Sequence, residues 1–180
     1  AGRLLKAIAP HATERFWLGG NHEDRLRRFI WKHAPQLAGL GDLEFPSLFH
    51  LADHGFVWRP YGELVRLGEL VVTHGSMVRK VSGATARAHF EKYGQNVMVN
   101  HTHRLAAYYH TNLKGPHVAF ENGCLCSLKP EYVQFPDWQW GWSVVHVDDA
   151  TGFFHVQQVP VLGTCFYYGG TRYGAAPRRR

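Results

Sequence analysis

The chain has only three cysteines and two methionines in 180 residues, and no CxxC pair. Cys124, Cys126 and Cys165 therefore form no zinc-ribbon or thioredoxin-type motif, and their odd number spells no disulfide framework. Alternate residues of a strand face one way, so Cys124 and Cys126 are expected to be small buried thiols in a reducing compartment. No run of about 18 uncharged apolar residues occurs, which excludes an ordinary membrane-spanning helix. The chain does not open with a basic segment followed by an apolar one, as a secretory leader does. Internal repeats and low-complexity tracts are also absent. Together these absences predict a cytoplasmic protein without a membrane partner.

What is present is a net charge of +6 and a high aromatic content: six Trp, eight Tyr and eleven Phe. The charge is unevenly placed. Arg172, Arg178, Arg179 and Arg180 supply four basic groups with no acid beyond them, leaving 16 basic residues against 14 acidic ones. Such a tail is more commonly a solvated end than a nucleic-acid footprint. Nucleic acid is retained as a partner only on that tail and the aromatics.

The patterning predicts a layered α/β domain over residues 1–168 and a frayed basic tail over 169–180. Leu4 to Ile8 reads as a helix end, and Glu14 to Leu18 as a short buried strand stopped by Gly19-Gly20. Helices are expected over Asp24–His33, Pro46–Asp53 and Thr85–Tyr93. Strands are expected over Phe56–Trp58, Glu69–Thr73 and Asn96–Val99. Beyond His103, strands are predicted over His117–Ser127, Gly141–Val147 and Phe153–Val161, with a turn at Asp148–Gly152 between the last two. The sum is a mixed sheet packed against a second sheet, with helices outside.

Three predicted strands end in polar groups that ligate metals: Gly20-Asn21-His22-Glu23, Thr73-His74-Gly75 and Asn100-His101-Thr102-His103. Ligands in open α/β sheets collect beyond the carboxyl ends of strands, so positions 21, 74 and 101 can converge. Alternation puts His101 and His103 on one side of an extended segment.

These segments, in this order, resemble the calcineurin-like metallophosphoesterases, whose later motifs are GNH(D/E), a strand-terminal HG and GHxH. Asn122-Gly123-Cys124 and Trp138-Gln139-Trp140-Gly141-Trp142 resemble phage and bacterial members. The resemblance implies a layered sandwich of mixed sheets flanked by helices, and hydrolysis of a phosphomonoester or phosphodiester. It also implies two divalent ions, Mn2+ first, with Fe or Zn as alternatives. Asn21, His74 and His101 would ligate the second ion, and His103 the first. His22 would stand over the leaving-group oxygen. Amide oxygen and imidazole suit such ions, and a metal pair about 3.5–4 Å apart activates water and polarises phosphoryl oxygens. Arg25 and Arg104, next to the motifs, are candidates for touching the substrate phosphate.

Two departures from the family pattern stand out. Asn100 replaces the usual glycine before HxH, and asparagine tolerates left-handed backbone. The opening DxH and GD motifs, which supply most ligands of the first ion and the bridging carboxylate, have no counterpart in the twenty residues before Asn21. Gly41-Asp42 lies after GNHE, in the wrong order. The expectation is a C-terminal two-thirds of such a domain, missing its first βαβ segment and a poor catalyst alone. The alternative is a degenerate, non-catalytic member serving as a binding scaffold. The remaining histidines, His89 among them, are expected in surface or hydrogen-bonded structural roles. Trp138, Trp140 and Trp142 are expected in sheet packing.

Overall fold

The structure, a computed structural model, describes residues 5–7 and 9–175. It divides into two compact units, residues 1–65 and 66–180. The predicted helix end is helical over residues 5–7; positions 4 and 8 lie outside the described residues. None of the described helices is long and apolar enough to cross a membrane.

In the first unit, β1 (Phe16–Leu18) pairs in parallel with β2 (Val57–Arg59), Trp17 opposite Trp58. β1 was expected to be buried. Instead Phe16 is exposed and Trp17 and Leu18 are half-buried, because this sheet has two strands and β1 has one neighbour. α1 (Asp24–His33) has the predicted limits. Its first residue, Asp24, is buried and accepts from Arg27 at 2.7 Å and Arg28 at 2.5 Å. An acid there also complements the helix dipole. The helix predicted over 46–53 is cut short. α2 covers Phe45–Leu48, a 3-10 turn covers Ala52–His54, and His50 between them has a φ of 51°. A left-handed residue ends a helix because it turns the next N–H away from the helical ladder. Phe45 stacks on Phe49 at 4.3 Å and approaches Trp58 at 5.1 Å and Trp17 at 5.6 Å. Aromatic contact is the main cement of this small unit.

β3 (Leu64–Leu67) leads into the second unit, whose five-stranded sheet has the order β3-β4-β5-β7-β6. The strands are β4 (Leu70–Thr73), β5 (Val97–Val99), β6 (Leu105–Asn112) and β7 (Gly115–Asn122). β4, β5 and β7 run parallel to one another, and β6 pairs antiparallel with β7. α3 (Ala84–Tyr93) connects β4 to β5 and ends at left-handed Gly94. Side-chain alternation along β5 splits the core in two. Val97 and Val99 pack with Ala119 against Ala86 and Phe90 of α3. Met98 packs with Leu70 and Phe120 on the opposite face, where Val145, Phe154 and Val156 cover it. Those last three come from the hairpin of β8 (Gly141–Val147) and β9 (Phe154–Pro160). The order is thus helix, mixed sheet, second sheet. Within this unit the α/β layering predicted from the patterning is present.

β3 and β6 carry no expectation from the sequence patterning. The tail differs from its expectation. β10 (Cys165–Tyr168) and β11 (Thr171–Gly174) form a hairpin around Gly169 and Gly170, with φ of 56° and 75°. Two successive positive φ values are what a two-residue type I′ turn requires, and glycine supplies them without strain. Glycine richness here marks a turn, not fraying. Arg178 to Arg180 lie outside the described residues.

Candidate metal centre

Because β4, β5 and β7 are parallel, their carboxyl ends share one edge of the sheet, and three motif segments start there. β4 delivers His74. Its carbonyl accepts from the N–H of Asn100 at 3.0 Å and of His101 at 2.9 Å. The β4–β5 pairing thus extends past both strands and holds the two loops side by side. His74 Nε2 lies 2.9 Å from His101 Nδ1, the rings tilted at 72°. Two nitrogens each about 2.0–2.1 Å from one ion, at right angles, stand about 2.9 Å apart. The same separation suits an N–H donating to the other ring nitrogen, so the pair is arranged for one shared positive group.

Gly75 makes this approach possible. Its φ is 85°, and a Cβ there would meet His89 Nε2 and Val99 Cβ at 3.0 Å. His89 supports the loop from beneath. Its Nδ1 donates to the Thr85 carbonyl at 2.8 Å, and its Nε2 accepts from the Ser76 N–H at 3.1 Å. That pair of bonds specifies the neutral ring, and burial pushes its pKa below the usual value. The structural role expected for His89 is the one it has.

Asn100 is a tie. Its Nδ2 donates to the Thr73 carbonyl at 3.3 Å, and its Oδ1 accepts from Asn122 Nδ2 at 3.0 Å. Asn122 in turn accepts from the Ser143 hydroxyl. The left-handed residue of this loop is not Asn100, as expected, but His103, with a φ of 60°. A turn at position 103 leaves the Asn100 amide free to bridge two strand ends.

His103 stands with the cysteines. Its Nδ1 is 3.9 Å from Cys126 Sγ, and the ligand atoms of His103, Cys124 and Cys126 all lie within 4.8 Å of one another. Trp138 meets the His103 ring edge-on at 4.4 Å. The expected buried strand pair is corrected here. β7 stops at Asn122, Cys124 is half-buried and Cys126 is exposed. Burial, with a hydrogen bond to Cys126, pushes the Cys124 thiol up to about 12.

Arg104 is 5% exposed. Its Nε donates to Glu121 at 3.2 Å, and its terminal nitrogens donate to the carbonyls of Lys80 and Arg79 at 2.9 and 2.6 Å and to the Thr85 hydroxyl at 3.2 Å. Four of its five N–H groups are engaged internally, so it fastens the 79–80 loop. Glu121 was not singled out in the sequence, yet it is the hub. Fully buried, it also accepts from Thr102 and from the N–H groups of Gly83 and Ala86 at the start of α3. Its only sequence signal is an acid one residue before the end of β7, after the apolar run Val118–Phe120. An open cleft of about 300 Å³ adjoins His101, bounded by Arg79, Arg104, Phe135, Asp137 and Trp138.

Asn21, His22 and Arg25 belong to the first unit. Asn21 is half-buried, and His22 and Arg25 are exposed. They sit on the turn entering α1, where Glu23 accepts from the Gly20 N–H at 2.8 Å and the Gly20 carbonyl accepts from Asp24 at 3.2 Å. Two bonds across the turn fix the backbone around Asn21 and His22.

No family model matches the chain. The Gene 54 protein of Mycobacterium phage D29 is 30% identical to it over 165 residues, covering 84% of this chain and 63% of that protein. The chain thus spans less than two thirds of that relative's length.

Proposed function

We propose that the chain belongs to a metal-dependent phosphoester hydrolase of the calcineurin-like metallophosphoesterase type. The observation that carries this reading is the 2.9 Å approach of His74 Nε2 to His101 Nδ1 at the ends of adjacent parallel strands. Two imidazoles so placed are a ligand pair for a divalent ion such as Mn2+, with Fe or Zn as alternatives. The family resemblance implies an amide-oxygen ligand role for Asn21 on the same ion as His74 and His101, and a role for His103 on the other ion. When bound, the metal centre supplies a water of lowered pKa and neutralises charge on the phosphoryl group. The resemblance gives His22 the role of passing a proton to the leaving oxygen as water adds to phosphorus and the P–O ester bond breaks. The cleft beside His101 admits the substrate, with exposed Arg79 at its rim as its phosphate contact. Arg104 is left out of that role because it is buried and four of its five N–H groups already have acceptors.

Manganese binding followed by electron paramagnetic resonance tests the reading. The His74→Ala and His101→Ala variants should each lose the bound-manganese signal and the Mn2+-dependent hydrolysis of a bis-aryl phosphate. Unchanged binding in the double variant sinks it.

A further inference from the structure

The geometry points to a second, chemically distinct site: His103, Cys124 and Cys126 together bind a soft divalent cation, Zn2+ in the first place. The proposal shares His103 with the hydrolytic reading and is otherwise independent of it, since neither His74 nor His101 takes part.

Three observations carry it. The donor set is one imidazole and two thiols, which favours Zn2+ over the hard cations that prefer oxygen. The three ligand atoms already lie within 4.8 Å of one another, with His103 Nδ1 and Cys126 Sγ 3.9 Å apart. Around a tetrahedral zinc, with Zn–N about 2.0–2.1 Å and Zn–S about 2.3 Å, N···S separations are about 3.6 Å and S···S about 3.8 Å. Closing onto an ion needs only small side-chain movements.

The backbone that presents these groups is fixed independently of any ion. The Cys124 N–H donates to the Gln139 carbonyl at 3.0 Å, and the Cys124 carbonyl accepts from Gly141 at 3.0 Å. Trp140 Nε1 donates to the Cys126 carbonyl at 2.5 Å, and the His103 carbonyl accepts from Gln139 at 3.0 Å. The Gln139–Gly141 segment therefore clamps both cysteines and the histidine at once. Preset ligands reduce the ordering cost of binding. His103 also has a left-handed φ of 60°, unusual for a residue with a Cβ, and this conformation accompanies the placement of its ring beside the thiols.

The two cysteines bind as thiolates, their protons passing to solvent. Three protein ligands leave the fourth tetrahedral position open, the pattern of zinc sites that hold water or substrate. The CxC spacing reads poorly as a zinc motif in sequence, since the third ligand is about twenty residues away. Sheet order supplies it: β5 and β7 are neighbours, so the loops after them meet.

Cobalt substitution of the reduced chain tests the site. Co2+ should give a thiolate-to-cobalt charge-transfer band that Zn2+ displaces. That band should be lost in Cys124→Ser and in Cys126→Ser, and should persist in the His74→Ala/His101→Ala double variant. Far-ultraviolet circular dichroism checks that each variant is folded, and titration with a thiol reagent confirms both cysteines reduced. No band in the folded, reduced chain overturns the proposal, as does a band that survives both serine variants. Cobalt ligand-field bands with no charge-transfer band, lost in the His74/His101 variant, assign the cobalt to the hydrolytic pair and overturn it equally.

Discussion

Arg104 Nε donates to the Glu121 carboxylate at 3.2 Å with both side chains almost wholly out of water. The pair joins the loop after β5 to the end of β7, and through Gly83 and Ala86 to the start of α3. Removing one partner of a buried, hydrogen-bonded ion pair strands the other charge, at a cost of about 3–5 kcal/mol. Glu121→Ala should show that loss in urea unfolding, together with weaker ordering of the 79–85 segment in hydrogen exchange. A loss under about 1 kcal/mol would mean that solvent reaches the site.

Gly75→Ala separates loop geometry from ligand chemistry. Alanine at a φ of 85° is strained, and its Cβ meets His89 and Val99. A destabilisation of about 1–3 kcal/mol is expected, with weaker Mn2+ binding although both histidines remain. Native stability and affinity in this variant would remove Gly75 from the account.

His89 sets a pH dependence. Burial lowers its pKa in the fold, while the unfolded chain titrates near the ordinary value of about 6.5. The unfolded state therefore takes up the proton first. Its stabilising contribution is complete above about pH 6.5 and declines as pH falls toward the lowered folded value. The difference in unfolding free energy between wild type and His89→Gln should shrink as pH falls from about 7 to 5. A difference that grows over that range reverses the assignment.

His22 should act on rate and not on metal content. In catalytically active protein containing this chain, His22→Ala is expected to lower kcat by about 10²–10⁴-fold with bound manganese unchanged. Loss of an ion in that variant would make His22 a ligand instead.

Local order was readable in the sequence where one residue decides it. α1 kept its predicted limits between the Gly20 turn and Pro35, and α3 ended at Gly94 as expected, because caps and breakers act within a few residues. The strands carrying His74 and His101 were visible as apolar runs ending in polar residues, and the β8–β9 hairpin as two such runs around Asp148–Gly152. The role of Asn100 was not readable, since its partners Thr73 and Asn122 lie on other strands.

The chain's own pattern determined that His74 and His101 would end strands and that α3 would separate them; it placed Cys124 within a strand that in fact stops at Asn122. Only the tertiary structure decided that β4, β5 and β7 lie side by side and parallel, with their carboxyl ends on one edge. That order brings the two histidines to 2.9 Å, sets His103 beside two thiols, and turns Arg104 inward onto Glu121. The physical reason is range. Capping and turn preferences act along a few residues of chain, whereas strand order follows from which apolar faces find cover, as Met98 does beneath Val145 and Val156. Contacts across dozens of residues leave no periodic mark in the sequence that makes them.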